Sequence, residues 1–259
     1  MRISKSLLLA ASAAYLAFAS GPSAAETLTI ASEGAYPPFN VLQTDGTMTG
    51  FDIDIAKAVC DEMKVECKIV SQEWDGAIPA LDAGKFDAYV ASMSITDERK
   101  QKVDFSAKYY NTPPAIVVAK DSDLTDATEE TLSGKTLGAQ SSTSHSNYVE
   151  KHFSKSELKL YPTSDEYKLD LSNGRIDGIV DDIVVLSEWL KTPDGEACCK
   201  LLKVLPVDPI INGNGAGIAV KKGNTALAER FTKAIAALRE NGKYKEINDK
   251  YFSFDAYGE

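Results

Sequence analysis

The residues best suited to chemistry form one run, from Ser92 to Arg99, in which hydroxyl groups precede a basic side chain. The run follows an apolar, strand-like segment at 86–90 and leads into a helix-like segment. Ser94 and Thr96 are residue types that cap a helix N-terminus, where backbone N–H groups lack internal partners and attract anions. An arginine guanidinium matches a carboxylate in two-point geometry. The run predicts a receptor for a small carboxylate; the alternative is a capped helix with a solvated arginine.

Residues 1–25 have the order of a secretory signal peptide. Arg2 and Lys5 precede an apolar run at 7–18, and small residues lead to a predicted cleavage after Ala25. No later segment approaches the roughly 20 apolar residues that span a bilayer. We therefore expect a soluble protein exported to the periplasm.

Composition narrows the range of partners. The chain of 259 residues has a formal charge of −10, and removal of the signal peptide makes it more acidic. An acidic surface repels nucleic acid and anionic membranes, and it mildly favours a cationic ligand. His145 and His152 lie seven residues apart without further ligands at suitable spacing. We therefore expect no metal and no cofactor.

The four cysteines fall into two pairs. In an oxidising compartment Cys60 and Cys67 are expected to form a disulfide, which stabilises the fold by roughly 2–3 kcal/mol because the closed loop is short. Cys198 and Cys199 are adjacent. Whether they bond each other, a second chain or nothing stays open at this point.

Alternating β-rich and amphipathic segments predict an α/β fold with largely parallel sheets. The predicted strands are 28–32, 65–70, 86–91, 115–120, 136–139, 178–181 and 216–220, and the predicted helices are 51–63, 75–83, 97–102, 144–153, 165–173, 182–190, 225–239 and 243–251. Segments rich in Pro, Asn and Gly at 109–114 and 210–215 interrupt this pattern. They indicate a discontinuous lobe, a continuous lobe and a hinge between them.

Motifs along the whole chain after residue 25 carry a family resemblance. In order they are Ala35–Phe39, Gly50–Asp54, Trp74–Pro79, Ser92–Arg99, Gly138–Ser144, Gly174–Gly178, Lys243–Ile247 and Tyr251–Gly258. In these motifs the chain resembles the periplasmic solute-binding proteins of polar amino-acid ABC transporters, in the lysine/arginine/ornithine, arginine and histidine group. The Cys60–Cys67 pair fits this group, whereas Cys198–Cys199 does not.

The resemblance implies the type II periplasmic binding protein fold, with two α/β lobes that are each a largely parallel sheet flanked by helices. A two-strand hinge would join them. Lobe 1 is then expected to be discontinuous, at 26–112 and 212–259, and lobe 2 to be 113–211.

The resemblance also implies a ligand-binding site. Its expected residues are Glu33, Tyr36, Trp74, Ala91, Ser92, Met93, Ser94, Arg99, Gln140, Thr143, Ser144, His145 and Asp182. Arg99 and the helix N-terminus at 143–144 would hold a carboxylate from opposite lobes. Asp182 would take the α-ammonium group, while Asp181 caps the following helix; the sequence alone allows the opposite assignment.

The remaining implied roles concern the ligand side chain. Glu33 would contact the distal cationic group of the ligand. Tyr36 and Trp74 would flank the ligand side chain through cation–π contact. Ala91 lies where some relatives have a hydroxyl group. His145 lies beside the binding turn, where it could contact ligand and introduce pH sensitivity.

These roles imply binding of a basic L-amino acid, arginine or ornithine first and lysine next, by a monomer that closes around it and delivers it to an inner-membrane ABC permease. Histidine or an opine is the alternative ligand. An alternative of another class is a periplasmic enzyme resembling cyclohexadienyl or arogenate dehydratases, with Glu33 as general acid. A third is a ligand-sensing partner of a membrane receptor.

Overall fold

The computed structural model describes residues 26–258, so the predicted signal peptide lies outside the described residues. The strands are β1 (Thr27–Ser32), β2 (Ala35–Tyr36), β3 (Asn40–Leu42), β4 (Met48–Thr49), β5 (Glu66–Ser71), β6 (Ala88–Tyr89), β7 (Val103–Tyr110), β8 (Pro114–Ala119), β9 (Thr136–Gln140), β10 (Glu157–Tyr161), β11 (Gly178–Asp182), β12 (Cys199–Val204) and β13 (Ala216–Lys221). The helices are α1 (Phe51–Met63), α2 (Ala77–Asp82), α3 (Asp97–Lys100), α4 (Ser144–His152), α5 (Ser164–Ser172), α6 (Ile183–Leu190), α7 (Pro193–Cys198), α8 (Pro209–Asn212), α9 (Thr225–Glu240) and α10 (Lys243–Tyr251). None of the helices within 26–258 combines the length and apolar character needed to cross a bilayer.

Two five-stranded sheets form the centres of two lobes. The first has the order β5-β1-β6-β13-β7, and the second has the order β10-β9-β11-β8-β12. Strands β2, β3 and β4 form a small separate sheet. The predicted α/β fold is therefore confirmed, and it has helices on both faces of each large sheet.

The two large sheets are mixed rather than largely parallel. In the first, β1 pairs in parallel with β5 and β6, but β13 pairs antiparallel with β6 and β7. In the second, β9 pairs in parallel with β10 and β11, but β8 pairs antiparallel with β11 and β12. The strands that follow a passage between the sheets, β8 and β13, enter against the direction of their neighbours, which the local sequence pattern does not reveal.

The core of each lobe follows from alternation along buried strands. In β8, Ile116 and Val118 point to one apolar cluster while Ala115 and Val117 point to the other, as the two-residue period of a strand requires. Helices α4 on one face and α5 and α6 on the other cover this sheet. The first sheet is covered by α1, α9 and α10 on one face and by α2 on the other.

The chain passes between the sheets twice, between β7 and β8 and between β12 and β13. Two glycines are required at the second passage. Gly213 and Gly215 have φ values of 68° and 83°, and an added Cβ would lie 2.3 Å from the Ile95 carbonyl oxygen and 2.5 Å from that of Tyr110. A side chain at either position would meet both backbone strain and a steric clash.

Both cysteine pairs are disulfides. The predicted Cys60–Cys67 bond joins the end of α1 to β5, with a Cα–Cα distance of 6.1 Å. Cys198 and Cys199 bond to each other where α7 meets β12, which decides among the three possibilities left open by the sequence.

Candidate functional site

A small cavity lies between the two lobes, at the carboxyl ends of the parallel strands. Several of its lining residues end or follow strands β1, β5, β6 and β9. Ligands of open α/β sheets bind at the carboxyl ends of the strands. We call it the interlobe cavity. It is lined by Glu33, Tyr36, Trp74, Ala91, Ser92, Ser94, Arg99, Gln140, Thr143, Ser144 and His145. The structure thus brings together every residue of the expected site except Met93 and Asp182.

Arg99 is buried at one end of the interlobe cavity. The Thr96 hydroxyl caps α3 by accepting from the Arg99 backbone N–H at 3.2 Å. The guanidinium donates to the backbone carbonyls of Ser94, at 3.1 Å, and of Ser142, at 2.9 Å in the other lobe. It lies 5.2 Å from the Trp74 ring centroid. Burial lowers the pKa of Arg99 to about 10, so the group stays charged at neutral pH.

The second lobe meets Arg99 with the N-terminus of α4. Thr143 and Ser146 form a capping box, in which the Thr143 hydroxyl accepts from the Ser146 backbone N–H at 3.1 Å. Ser144 follows in the first turn, and its hydroxyl lies 3.2 Å from that of Ser94 in the first lobe. A carboxylate placed here would face a guanidinium, two hydroxyls and a helix N-terminus.

Two serines at this end hold left-handed backbone conformations. Ser92 has a φ of 55° and Ser142 a φ of 57°, and such values in a non-glycine residue cluster at functional sites. Ser92 is held by a buried partner, because its hydroxyl donates to Asp52 at 3.0 Å. Asp52 also accepts from Asn40 and Tyr109. Burial raises the pKa of Asp52 to about 6 despite these bonds.

Glu33 and Gln140 also line the interlobe cavity. Glu33 directly follows β1, and its carboxylate accepts a hydrogen bond of 2.6 Å from the Gln140 side-chain amide. Burial, reinforced by nearby Asp181, Asp52 and Asp75, raises the pKa of Glu33 to about 7, and the Gln140 hydrogen bond only partly offsets it. A cation at this position would remove the cost of ionising Glu33.

The cap of α6 is Asp182 rather than Asp181, where it was expected. The Asp182 carboxylate caps α6, accepting from the Val184 backbone N–H at 2.7 Å, and it also accepts from the Thr112 hydroxyl. Burial raises its pKa to about 6. Asp181, on the same strand, instead meets the cavity-lining residues Tyr36 and His145. Successive residues of a strand point to opposite faces, so the two carboxyl groups have different partners.

Met93 does not line the interlobe cavity, contrary to expectation. Its side chain is 2% exposed and packs in the apolar cluster beside α2. Sequence reasoning also missed Asp75, whose carboxylate accepts from the Ser141 hydroxyl of the other lobe at 2.8 Å. The position of Asp75 in the Trp74–Pro79 motif is the sequence feature that could have indicated this contact.

The site is a closed cleft with separated charges. Hydrogen bonds across it join the lobes directly, among them Glu33–Gln140, Arg99–Ser142 and Tyr36–Asp181. Arg99 and the N-terminus of α4 offer a cation and hydrogen-bond donors, and Glu33 offers a carboxyl group. Such a cleft is suited to a small molecule with a carboxylate at one end and a cation at the other. Among residues 26–258, no group of three or more His, Cys, Asp or Glu is arranged to hold a metal ion.

Comparison with known proteins decides the family. The model of the bacterial extracellular solute-binding proteins, family 3, matches residues 28–254. The chain belongs to this family. Family 3 membership agrees with the predicted resemblance and with two lobes that enclose a cavity.

Individual relatives of this family 3 protein extend the comparison. An L-arginine-binding protein of Pseudomonas aeruginosa is 47% identical over 232 residues, covering 88% of this chain and 89% of the relative. The ABC transporter arginine-binding protein 1 of Escherichia coli is 38% identical over 250 residues. This match covers 96% of this chain and 99% of the relative. Among solved structures, a Salmonella typhimurium periplasmic binding protein described for high arginine specificity aligns with a TM-score of 0.80 at 32% identity, over 88% of this chain and all of the other.

Proposed function

We propose that this protein binds a basic L-amino acid, arginine before ornithine and lysine, and delivers it to an ABC importer of the inner membrane. The observation that carries the proposal is that Arg99 and Glu33 line the same cavity. Arginine has the matching charges, a carboxylate at one end and a guanidinium at the other. The arginine-binding relatives support the same ligand.

The proposed mechanism is closure of two lobes about the passages at 111–113 and 205–215, with lobe 1 at 26–112 and 212–259 and lobe 2 at 113–211. All strands of the first large sheet lie in the former segments, and all strands of the second lie in the latter. A ligand that contacts both lobes stabilises the closed form, because the open form cannot make both sets of contacts. The signal peptide at 1–25 and a periplasmic location complete the proposal.

The ligand contacts are proposed residue by residue. The carboxylate would bind Arg99 and the α4 N-terminus at 143–144. The α-ammonium group would lie toward Asp181 and Asp182, and the guanidinium toward Glu33. Glu33 lines the cavity, and the buried carboxyl groups of Asp52 and Asp181 contact lining residues, so a ligand with net positive charge would stabilise their ionised forms.

A panel of candidate ligands tests the proposal. Thermal shift with the twenty amino acids, ornithine and several opines should give the largest stabilisation with arginine, since a ligand that binds only the folded form raises its stability. Binding restricted to histidine, to an opine, or to acidic or apolar amino acids would reject it. We further propose that the protein is no enzyme; conversion of prephenate or arogenate to an aromatic product would contradict this.

A further inference from the structure

The hydrogen bond between Asp75 and Ser141 joins the two lobes just outside the interlobe cavity. The Ser141 hydroxyl donates to the Asp75 carboxylate at 2.8 Å. Neither residue lines the cavity, but each directly follows one that does, Trp74 in the first lobe and Gln140 in the second. Asp75 is exposed and Ser141 is partly buried, so the bond lies at the protein surface beside the cavity wall.

The order of the strands places this bond at the edge of the cleft farthest from the passages between the lobes. Asp75 follows β5, the edge strand of the first sheet opposite β7. Ser141 follows β9, which lies with β10 on the side of the second sheet opposite β8 and β12. The passages run from β7 to β8 and from β12 to β13, on the other side of each sheet. Rotation about the passages displaces the far edge most, so opening must separate Asp75 from Ser141.

Each partner is held in place by its own lobe. The Ser141 backbone N–H donates to the Tyr161 carbonyl at the end of β10, at 2.9 Å. In the first lobe, the Trp74 carbonyl accepts from the Ala77 N–H at the start of α2, at 3.0 Å, and the Trp74 ring packs against Tyr89 with the centroids 6.2 Å apart. The bond therefore forms between positioned groups, and little conformational entropy opposes it.

We propose that Asp75 and Ser141 form a clasp that holds the closed cleft shut and slows release of the bound ligand without contacting that ligand. The bond is made only after closure. It therefore stabilises the closed complex and leaves the encounter of ligand with the open cleft unaffected. The use of arginine as the probe rests on the proposed function, whereas the clasp acts on closure itself.

Ser141→Ala is the sharper variant, because it removes the donor without changing the charge. Asp75 also contributes negative charge, which is among the causes that raise the pKa of Glu33, so its replacement would affect a cationic ligand in a second way. Stopped-flow fluorescence, with Trp74 in the cavity wall as reporter, measures both rate constants for arginine. Ser141→Ala should raise the dissociation rate constant about three- to tenfold, the equivalent of one hydrogen bond, and leave the association rate constant within about twofold.

A double-mutant cycle separates the clasp from independent effects of the two residues. In the Asp75→Ala background, Ser141→Ala should not change the dissociation rate constant further, because its partner is already gone. Ser133→Ala, at an exposed serine of the second lobe, is the control and should behave as wild type. An unchanged dissociation rate constant in Ser141→Ala, or the same fold-change in both backgrounds, would overturn the proposal.

Cross-linking tests the clasp without ligand. All four native cysteines are in disulfides, so a chain carrying Asp75→Cys and Ser141→Cys has two free thiols. A short bifunctional thiol reagent should join them with or without arginine, as measured by mass spectrometry of the unreduced protein. Failure to join them in the folded protein under both conditions would overturn the clasp. A cross-link in a protein whose wild type does not bind arginine would support the clasp and reject the proposed function.

Discussion

Glu33 and Gln140 end or follow parallel strands of different lobes, and their side chains hydrogen-bond to each other at 2.6 Å. The bond joins the two lobes at the wall of the interlobe cavity. Burial of the Glu33 carboxyl group raises its pKa to about 7. Closure, the charge on Glu33 and the ligand are therefore linked.

The first prediction concerns closure without ligand. We expect Glu33 to be hydrated in an open form, with an ordinary pKa near 4.5, whereas in the closed form its pKa is about 7. Between these values the closed form binds a proton that the open form does not, so lowering the pH through this window favours closure. Small-angle X-ray scattering of ligand-free protein should give a smaller radius of gyration at about pH 5 than at about pH 8.

Glu33→Gln is the control for this pH effect, because the amide has no charge to lose on closure. Its radius of gyration should vary much less between the same two pH values. An expansion of the wild-type protein on acidification, or the same compaction in the variant, would show that another group governs closure.

The second prediction tests the carboxylate end. Arg99→Lys keeps the charge but loses the planar fork that bonds Ser94 and Ser142 in different lobes. Arginine affinity should fall at least about tenfold by isothermal titration calorimetry. Arg175→Lys, in a half-exposed ion pair with Asp170 on lobe 2, should leave affinity unchanged. Equal arginine affinities of the two variants would show that Arg99 does not bind the ligand.

Much of this site is predictable from sequence, since each cavity-lining residue lies in or beside a motif at the carboxyl end of a strand. Two expectations differed for physical reasons. Alternation along β11 puts Asp181 and Asp182 on opposite faces, but the sequence does not say which of them caps α6. Met93 lies within the Ser92–Ser94 run, yet the left-handed turn at Ser92 directs its side chain into the core.

The fold is predictable where a segment has a clear period. Helix α1 agrees with prediction at both ends because Phe51, Ile55 and Val59 recur every four residues and Lys64 ends the helix in a left-handed conformation. Strand β7 was not predicted, since Asp104 and Lys108 interrupt its apolar residues. The mixed sheets follow from β8 and β13, whose pairing direction depends on distant parts of the chain.

The third prediction concerns the second passage between the lobes. Gly215→Ala should destabilise the protein more than Gly46→Ala, although both glycines have a φ near 83–84°. A Cβ added at Gly46 would meet open space, so the substitution there costs only the backbone strain, about 1–2 kcal/mol. A Cβ at Gly215 would also lie 2.5 Å from the Tyr110 carbonyl oxygen, adding about 1–3 kcal/mol. Denaturant unfolding measures both, and equal losses would contradict the steric argument.

The fourth prediction compares the disulfides. Replacing Cys60 and Cys67, which are seven residues apart, with alanine should lower the free energy of unfolding by roughly 2–3 kcal/mol on the chain-entropy estimate. The pair at 198–199 closes almost no loop, so its replacement should cost less. Urea titrations of both double variants provide the test; a larger loss from the adjacent pair would show that it organises α7 and β12 beyond its effect on chain entropy.

The ligand's distal charge tests the central claim most directly. Citrulline has the shape of arginine without its positive charge, so calorimetry with both ligands isolates the interaction with Glu33. Wild-type protein should prefer arginine by at least about tenfold, and Glu33→Gln should lose that preference by weakening arginine while keeping its fold. Glu73→Gln, an exposed acid near Trp74, is the control and should behave as wild type. Undiminished preference for arginine in Glu33→Gln would contradict the account.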